Sequence, residues 1–218
     1  MIITLDGQSG TGKSTLANKV AKKLGFKCLN TGMVYRAISY YLYQQSIFPD
    51  NEIAIVNSLS KIHIQILFEE EKQFVIINNV NCTPYVSSIA VQQNVSLYSQ
   101  ILPLRERVTS IQREFALCNN VVVEGRDIGT HVFPDADYKF FITCDIHIRA
   151  QRRMADLISN GQQITLKEVV ESLKNRDILD TTRKFSPLKR ADDAIDIDTS
   201  HNTIEQSVNE IIKYIKLV

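Results

Sequence analysis

The first fifteen residues constrain the fold most strongly, because a short apolar run there breaks into glycines and ends on Lys-Ser-Thr. Gly7, Gly12, Lys13 and Ser14 fill the pattern G-x-x-x-x-G-K-[ST]. A strand-like run over residues 2–5 precedes the pattern, and apolar residues at helical spacing follow it. Strand, loop and helix therefore come in the order that a phosphate-binding loop requires, and we predict that a polyphosphate binds here.

Each part of this loop has a chemical reason to hold phosphate. Glycines let backbone N–H groups converge on phosphate oxygens, and the positive end of the next helix points at the same anion. Lys13 adds a positive charge, and the Ser14 hydroxyl can ligate Mg²⁺. The residues predicted to contact the polyphosphate are Gly7, Gln8, Ser9, Gly10, Thr11, Gly12, Lys13, Ser14 and Thr15.

Composition narrows the class of protein. The 218 residues suit one core with a small appended piece, and 44% hydrophobic with 22% charged residues is ordinary for a soluble globular chain. A formal net charge of +1 argues against a general nucleic-acid or membrane-surface binder. Four cysteines without a CxxC pair fit neither a zinc site nor a disulfide framework. Because no apolar run could span a membrane and no basic segment precedes the first strand, we expect a cytoplasmic protein.

The order of elements along the chain predicts an α/β fold. Helical and apolar extended segments alternate after the phosphate loop, which indicates a central parallel sheet flanked by helices, of the P-loop kinase kind. Helical patterns include residues 87–118, with a break at Pro103, and residues 204–217. Residues 62–80 instead alternate on both sides of a charged turn, which predicts a small antiparallel insert. This insert is either a flap over the substrate or an addition without function.

A second candidate site follows a buried strand near the middle of the chain. The apolar run 121–123 ends in Glu124, Gly125, Arg126 and Asp127, so a glycine and three charges occupy positions that a strand would give to apolar residues. Ligands of open α/β sheets collect at the carboxyl ends of strands. We therefore expect this loop to carry function.

The arginines narrow the reaction. Between residues 149 and 190, ten Lys or Arg stand against five Asp or Glu, an excess that solvated helix faces could also produce. Arg176, Asp180 and Arg183 are spaced by four and three, which places them on one helical face if the helix continues to residue 183. Arg36 lies in a first helical turn, where it is either held for an anionic ligand or exposed. A kinase with a phosphorylated acceptor needs several arginines, because two anionic phosphates must be brought together. No Asn-Lys-x-Asp stretch supports a GTP-hydrolysing switch.

The chain resembles the bacterial cytidylate kinases over nearly its whole length. The block from Gly125 to Ala136, which begins Gly-Arg-Asp, is the most specific part of the resemblance. The other matching motifs are the phosphate loop, Thr31-Gly32-x-x-Tyr35-Arg36, the inserted hairpin, Ser96 with Arg105, Arg152-Arg153-Met154, and Arg176-Asp177 through Arg183. The resemblance implies transfer of the γ-phosphoryl group of Mg-ATP to CMP or dCMP.

The resemblance also implies roles for individual residues. The expected catalytic residues are Lys13, Arg36, Arg126, Arg153 and Arg183. ATP is expected to contact the phosphate loop and Arg152, and Mg²⁺ is expected to bind Ser14. The expected CMP-binding residues are Arg36, Arg126 and Arg183 at the phosphate, Ser96, Arg105 and Asp127 at the base, and Tyr35, Arg176 and Asp180 at the sugar, together with Thr31.

A single kinase unit is expected. Residues 1–30, 86–148 and 185–218 would form its core, residues 31–85 the monophosphate-binding region, and residues 149–184 a short lid with an arginine-rich helix. We expect a monomer without nucleic-acid or membrane partners. Glu124 has two open roles, which are contact with Mg²⁺ through water and orientation of Arg126. The alternative functions are another small-acceptor P-loop kinase, acting on UMP, AMP or shikimate, and a non-catalytic ATP-binding switch.

Overall fold

A five-stranded parallel sheet forms the centre of the computed structural model, which describes residues 1–159 and 161–216. The strand order is β2-β6-β1-β7-β8, so the first strand lies in the middle of the sheet. The five strands are β1 (Ile2–Gly7), β2 (Lys27–Asn30), β6 (Val121–Gly125), β7 (Tyr138–Thr143) and β8 (Ile195–Asp198). The predicted α/β architecture with a central parallel sheet is therefore confirmed.

The described residues contain eight α-helices. They are α1 (Lys13–Leu24), α2 (Thr31–Gln44), α3 (Glu52–Leu59), α4 (Ile89–Tyr98), α5 (Leu102–Leu117), α6 (Ile146–Ser159), α7 (Leu166–Thr182) and α8 (Ile204–Tyr214). Gly25 ends α1 in the left-handed conformation at φ 69°, and its N–H bonds the last carbonyls of the helix. None of the helices in residues 1–159 and 161–216 is long and apolar enough to cross a lipid bilayer.

Alternation along β1 decides which side chains face the core and which face the loops. Ile3 and Leu5 are buried against α1 and α8 in one hydrophobic cluster. Thr4 and Asp6 point to the opposite face, because successive strand residues alternate between faces. Asp6 is buried there beside the residues that follow β6.

The insert is a small antiparallel sheet of three strands. Its strands are β3 (Ile64–Glu69), β4 (Lys72–Ile77) and β5 (Val80–Asn81). Ile64, Val75 and Ile77 bury their side chains in a cluster with α2, α3 and α5. The hairpin was predicted from alternation, whereas the two-residue strand β5 was not, because two residues carry no periodicity.

The predicted break near Pro103 is present, because α4 ends at Tyr98 and α5 begins at Leu102. Pro103 itself lies in the first turn of α5, where proline is tolerated because the N–H group has no intrahelical partner there. Two other local features differ from the sequence-based expectation. Residues 128–132 form a π-helical turn that the pattern did not indicate. The last helix ends at Tyr214, and the expected end at Leu217 lies outside the described residues.

Candidate active site

The loop between β1 and α1 has the backbone geometry of a phosphate cradle. Gly10 and Gly12 have φ values of 79° and 85°, a left-handed conformation that favours glycine. A Cβ atom on Gly7 would lie 2.2 Å from the carbonyl oxygen of Ile142 on the neighbouring strand β7. Gly7 therefore allows the end of β1 to lie close to the backbone of β7. A side chain at this position would clash with Ile142 and displace the loop.

Lys13 is buried at the start of α1 and points back into the loop. Its Nζ donates hydrogen bonds to the carbonyl oxygen of Gln8 at 2.5 Å and to Thr11 Oγ1 at 3.2 Å. Burial, together with the positive charge of Arg126, lowers the pKa of Lys13 to about 7. An anion in the cradle would favour the charged form of this amine.

Ser14 and Glu124 form a hard-oxygen pair suited to Mg²⁺. Ser14 Oγ donates to Glu124 Oε1 at 2.8 Å, from the first turn of α1 to the end of β6. In the described part of the chain no group of three or more His, Cys, Asp or Glu side chains could hold a metal ion. This donor set still fits Mg²⁺, which binds one or two protein oxygens and completes its shell with waters and substrate phosphates.

Asp6 fastens the loop after β6, and sequence reasoning did not identify it as a site residue. Its two carboxylate oxygens accept the N–H groups of Ile128 at 2.9 Å and Gly129 at 2.7 Å. Burial raises the pKa of Asp6 to about 6, against the lowering effect of these two bonds. The only signal in the sequence is a charge at the end of an apolar strand, directly before Gly7.

Asp127 lies between two guanidinium groups in a buried pocket. Arg105 Nη2 donates to Asp127 Oδ2 at 2.5 Å, and Arg183 Nη2 donates to Asp127 Oδ1 at 3.0 Å. Arg105 also donates to the Ser99 carbonyl at 2.9 Å, while its buried Nε has no partner among the described residues. The structure thus brings together three residues, from α5, from the loop after β6 and from the end of α7, that lie far apart in sequence.

A second acid–base cluster adjoins Asp127. Arg126 Nε donates to Asp180 Oδ2 at 2.7 Å, which joins the loop after β6 to α7. Burial opposes the charge of Asp180, but Arg126 and Arg176 hold the pKa of this carboxyl below its usual range. Burial and repulsion from Arg126 lower the pKa of Arg176 to about 10. The Nε of Arg176 is buried without a partner among the described residues, so this guanidinium retains a donor for a ligand.

Arg36 and Arg153 belong to the same positive region. Burial lowers the pKa of Arg36, and the charges of Arg126 and Arg153 lower it further. Arg153 on α6 donates to the side-chain oxygen of Gln92 on α4. Arg152 instead donates to the Thr199 carbonyl at 2.7 Å and contacts Cys144. The predicted arginines of α2, α6 and α7 therefore share one electrostatic environment beside the phosphate loop.

Tyr35 and Thr31 connect α2 to this region. The ring of Tyr35 lies 5.7 Å from the Arg105 guanidinium carbon. Thr31 Oγ1 donates to the backbone carbonyl of Glu124 at 2.8 Å. Ser96 lies on α4, and within the described residues no hydrogen bond joins its hydroxyl to Asp127. The predicted role of Ser96 at the base therefore has no contact in this structure that supports it.

Arg149 is a further buried group that sequence reasoning left without a specific role. Its guanidinium pairs with Asp177 at 2.8 Å and donates to the carbonyl of Ser9 at 3.0 Å. It thereby joins the phosphate loop to both α6 and α7. Its partner in the loop is a backbone carbonyl, which leaves no mark on the residue pattern.

The sequence of the chain matches known proteins over nearly its whole length. A family model described as Cytidylate kinase matches residues 3–217. The cytidylate kinase of Cytophaga hutchinsonii is 38% identical over 214 residues, covering 97% of this chain and 92% of that protein. The cytidylate kinase of Alkaliphilus metalliredigens is 40% identical over 211 residues, covering 97% and 94%.

Likeness to a solved structure concerns the fold alone. An uncharacterized protein from Eubacterium ventriosum has a TM-score of 0.53 at 15% identity, with 98% of this chain and 97% of that chain covered. The family match and the two relatives, in contrast, align with nearly the whole sequence, which includes the residues of the site. By the family match and by the identity to these relatives, the chain belongs to the cytidylate kinase family.

Proposed function

We propose that the chain transfers the γ-phosphoryl group of ATP to CMP or dCMP, giving CDP or dCDP. The observation that carries this proposal is the cluster of partly buried positive charges beside the phosphate loop. The charges of Arg126 and Arg153 disfavour the charged forms of Arg36 and Arg176, and Arg176 keeps an unpaired donor. A second phosphate-bearing ligand next to ATP would relieve this repulsion, which is what a monophosphate acceptor provides.

The base of the acceptor is assigned to the pocket around Asp127. Each carboxylate oxygen has two lone pairs, so Asp127 can accept from Arg105 and Arg183 and still accept from an exocyclic amine. Cytosine carries such an amine beside acceptor atoms, whereas uracil carries a carbonyl at that position. A carbonyl facing a carboxylate in a buried pocket costs about 1–3 kcal/mol.

Catalysis would rest on positioning and charge, because a phosphate oxygen needs little activation as a nucleophile. Lys13 and the loop backbone would hold the donor phosphates. Ser14, with Glu124 beside it, would hold Mg²⁺, which supplies charge neutralisation between donor phosphates when bound. Arg36, Arg126 and Arg183 would hold the acceptor phosphate, with Arg153 and Arg152 approaching the donor side.

An acceptor screen tests the function directly. Purified protein with Mg-ATP is offered CMP, dCMP, UMP, AMP and shikimate, and product formation is measured for each. We expect CMP and dCMP to be phosphorylated fastest. A faster rate with UMP, AMP or shikimate would reject the proposal in favour of another small-acceptor kinase. Tight ATP binding with no product from any acceptor would favour a non-catalytic switch.

The role of Asp127 is tested with Asp127→Asn. The amide keeps the shape but replaces one acceptor oxygen with a donor, which disfavours cytosine and favours uracil. We expect the ratio of kcat/KM for CMP over UMP to fall by roughly ten- to a hundredfold. The KM for ATP serves as the control and should stay within about twofold. An unchanged CMP/UMP ratio would remove Asp127 from base recognition.

A further inference from the structure

Gln73 is a buried amide close to the charged turn of the hairpin in the insert. It is 8% exposed, whereas its neighbours Glu71 and Lys72 are exposed. Its Oε1 accepts the N–H of Asn30 at 2.7 Å, and its Nε2 donates to the Asn30 carbonyl at 3.2 Å. The side chain therefore satisfies both backbone groups of one residue at once, as a paired strand would.

Asn30 occupies the junction between the central sheet and α2. It is the last residue of β2 and the N-cap of α2, where its Oδ1 accepts the N–H of Met33 at 2.8 Å. The next residue, Thr31, bonds the Glu124 carbonyl. Tyr35 and Arg36 follow within the first two turns of the same helix. The direction in which α2 leaves the sheet thus decides where these two side chains point.

Other contacts hold the hairpin to the core without touching this junction. Glu71 forms an exposed ion pair with Lys22 of α1 at 3.0 Å. The ring of Phe68 stacks on Phe115 with centroids 5.3 Å apart, and the ammonium group of Lys27 lies 5.3 Å from the centroid of the Phe68 ring. The two hydrogen bonds between Gln73 and Asn30 are therefore separate from the other contacts that hold the hairpin to the core.

We propose that Gln73 is a positioning residue for the acceptor substrate. By clamping both backbone groups of Asn30, it fixes the start of α2 and so the placement of Tyr35 and Arg36. This gives the insert a defined task in the reaction, which sequence reasoning left open between a flap and an addition without function. The inference rests on the proposed function, because it assumes that the residues of α2 bind the acceptor.

The test compares Gln73→Leu and Gln73→Glu with the matched control Glu71→Gln. Leucine removes both hydrogen bonds, and glutamate keeps the acceptor while its second oxygen faces the Asn30 carbonyl. Glu71→Gln removes an insert–core contact of the same hairpin that does not reach α2. We expect the KM for CMP to rise about tenfold in both Gln73 variants, because Gln73→Leu loses both backbone bonds and Gln73→Glu loses one and places a carboxylate oxygen against the Asn30 carbonyl. The KM for ATP should stay within about twofold of the wild-type value in both Gln73 variants. In Glu71→Gln, the KM for CMP and the KM for ATP should both stay within about twofold.

Amide hydrogen exchange of residues 30–36 provides a second readout. Exchange there should speed up in the Gln73 variants while the strands of the central sheet keep their protection. A CMP KM that stays at the wild-type value, rises in step with the ATP KM, or rises equally in Glu71→Gln would overturn the proposal. If Gln73→Leu unfolds the insert, Gln73→Glu, which keeps one bond and the side-chain length, decides the outcome.

Failure of this inference is separable from failure of the proposed function. The acceptor screen on the wild-type protein fixes the preferred acceptor first. The variants are then assayed with that acceptor, whichever it is. A wild-type enzyme that prefers another acceptor would contradict the proposed function, while a selective rise in the KM for that acceptor would still support the role of Gln73.

Discussion

Asp6 and Lys13 are oppositely charged groups buried on either side of the glycine-rich turn. Lys13 faces the donor cradle, while Asp6 holds the backbone of the loop that carries Arg126 and Asp127. Their pKa values, about 7 for Lys13 and about 6 for Asp6, both shift toward neutrality because burial disfavours charge. The carboxylate of Asp6 thus connects the phosphate loop, which begins at Gly7, to the loop after β6.

A pH profile tests this coupling at Asp6. Above pH of about 6 the carboxylate is ionised and both oxygens accept N–H groups; below it, the proton blocks one of these bonds. We expect kcat/KM for CMP to fall as the pH drops through 6. The contribution of Asp6 to stability has the opposite sign, because a carboxyl with a raised pKa in the folded state favours folding more as the pH falls from 6 toward 4.

Asp6→Asn is the matched variant for the pH profile. The amide has one acceptor oxygen and does not titrate, so we expect a lower kcat/KM for CMP at pH 8. Its profile should also lack the fall near pH 6. If Asp6→Asn keeps the wild-type acid limb, that limb belongs to another group, such as the substrate phosphate.

Residues whose role depends on side-chain chemistry in a motif could be predicted from the sequence, and those that bind backbone could not. Lys13 lies in the spacing of a phosphate-binding loop, and Arg126 and Asp127 are charged residues that follow an apolar strand. Asp6 and Gln73 act on backbone groups of residues 129 and 30, across the fold. No pattern in the chain records such contacts, because every residue offers the same N–H and C=O groups.

Helix α7 shows how one element collects site residues, since Arg176 and Asp180 lie on it and Arg183 directly follows it. Its N-terminus carries a capping box, in which Thr165 accepts the N–H of Glu168 and Glu168 accepts the N–H of Thr165. The cap lies about three turns from Arg176. Stability and binding should therefore be separable along this helix.

Thr165→Ala tests this separation, with Thr203→Ala in the equivalent capping box of α8 as its control. Loss of either cap should lower the free energy of unfolding by about 1 kcal/mol in thermal or denaturant unfolding. Neither variant should change the KM for CMP by more than about twofold. A rise in that KM for Thr165→Ala alone would show that α7 moves as a unit when its first turn frays.

Most elements of the central sheet were predictable because their apolar runs and glycine stops are strong local signals. The end of α1 at Gly25 was predicted, and the structure has Gly25 there in the left-handed conformation. The hairpin was predicted from the alternation of apolar residues on both sides of a charged turn. The π-helical turn at residues 128–132 was not predictable. Its first two residues, Ile128 and Gly129, donate to Asp6 on a strand that lies more than a hundred residues earlier, so its cause is tertiary rather than local.

At the scale of the whole molecule, a nearly neutral chain gathers positive charge at one place. The formal net charge is +1, yet at the site the charges of Arg126 and Arg153 lower the proton affinity of Arg36 and Arg176. This repulsion opposes folding in the absence of an anion. A ligand that carries phosphate should therefore stabilise the folded protein more than one that lacks it.

Thermal unfolding with CMP and with cytidine measures this effect. At a CMP concentration one hundred times its Kd, the free energy of unfolding should rise by about 2.7 kcal/mol. For a chain of this size the midpoint should then rise by roughly 5–11 °C. Cytidine at the same concentration should give a clearly smaller shift. Equal shifts for the two compounds would mean that the arginines do not hold the acceptor phosphate.

The central place of β1 in the sheet has a consequence for how the protein emerges from the ribosome. Both neighbours of β1 are strands that begin at residues 121 and 138. The phosphate loop is therefore made first, yet it has no sheet to support it until nearly two thirds of the chain has been synthesised. The phosphate loop therefore cannot reach its final packing between β6 and β7 before both strands have been synthesised.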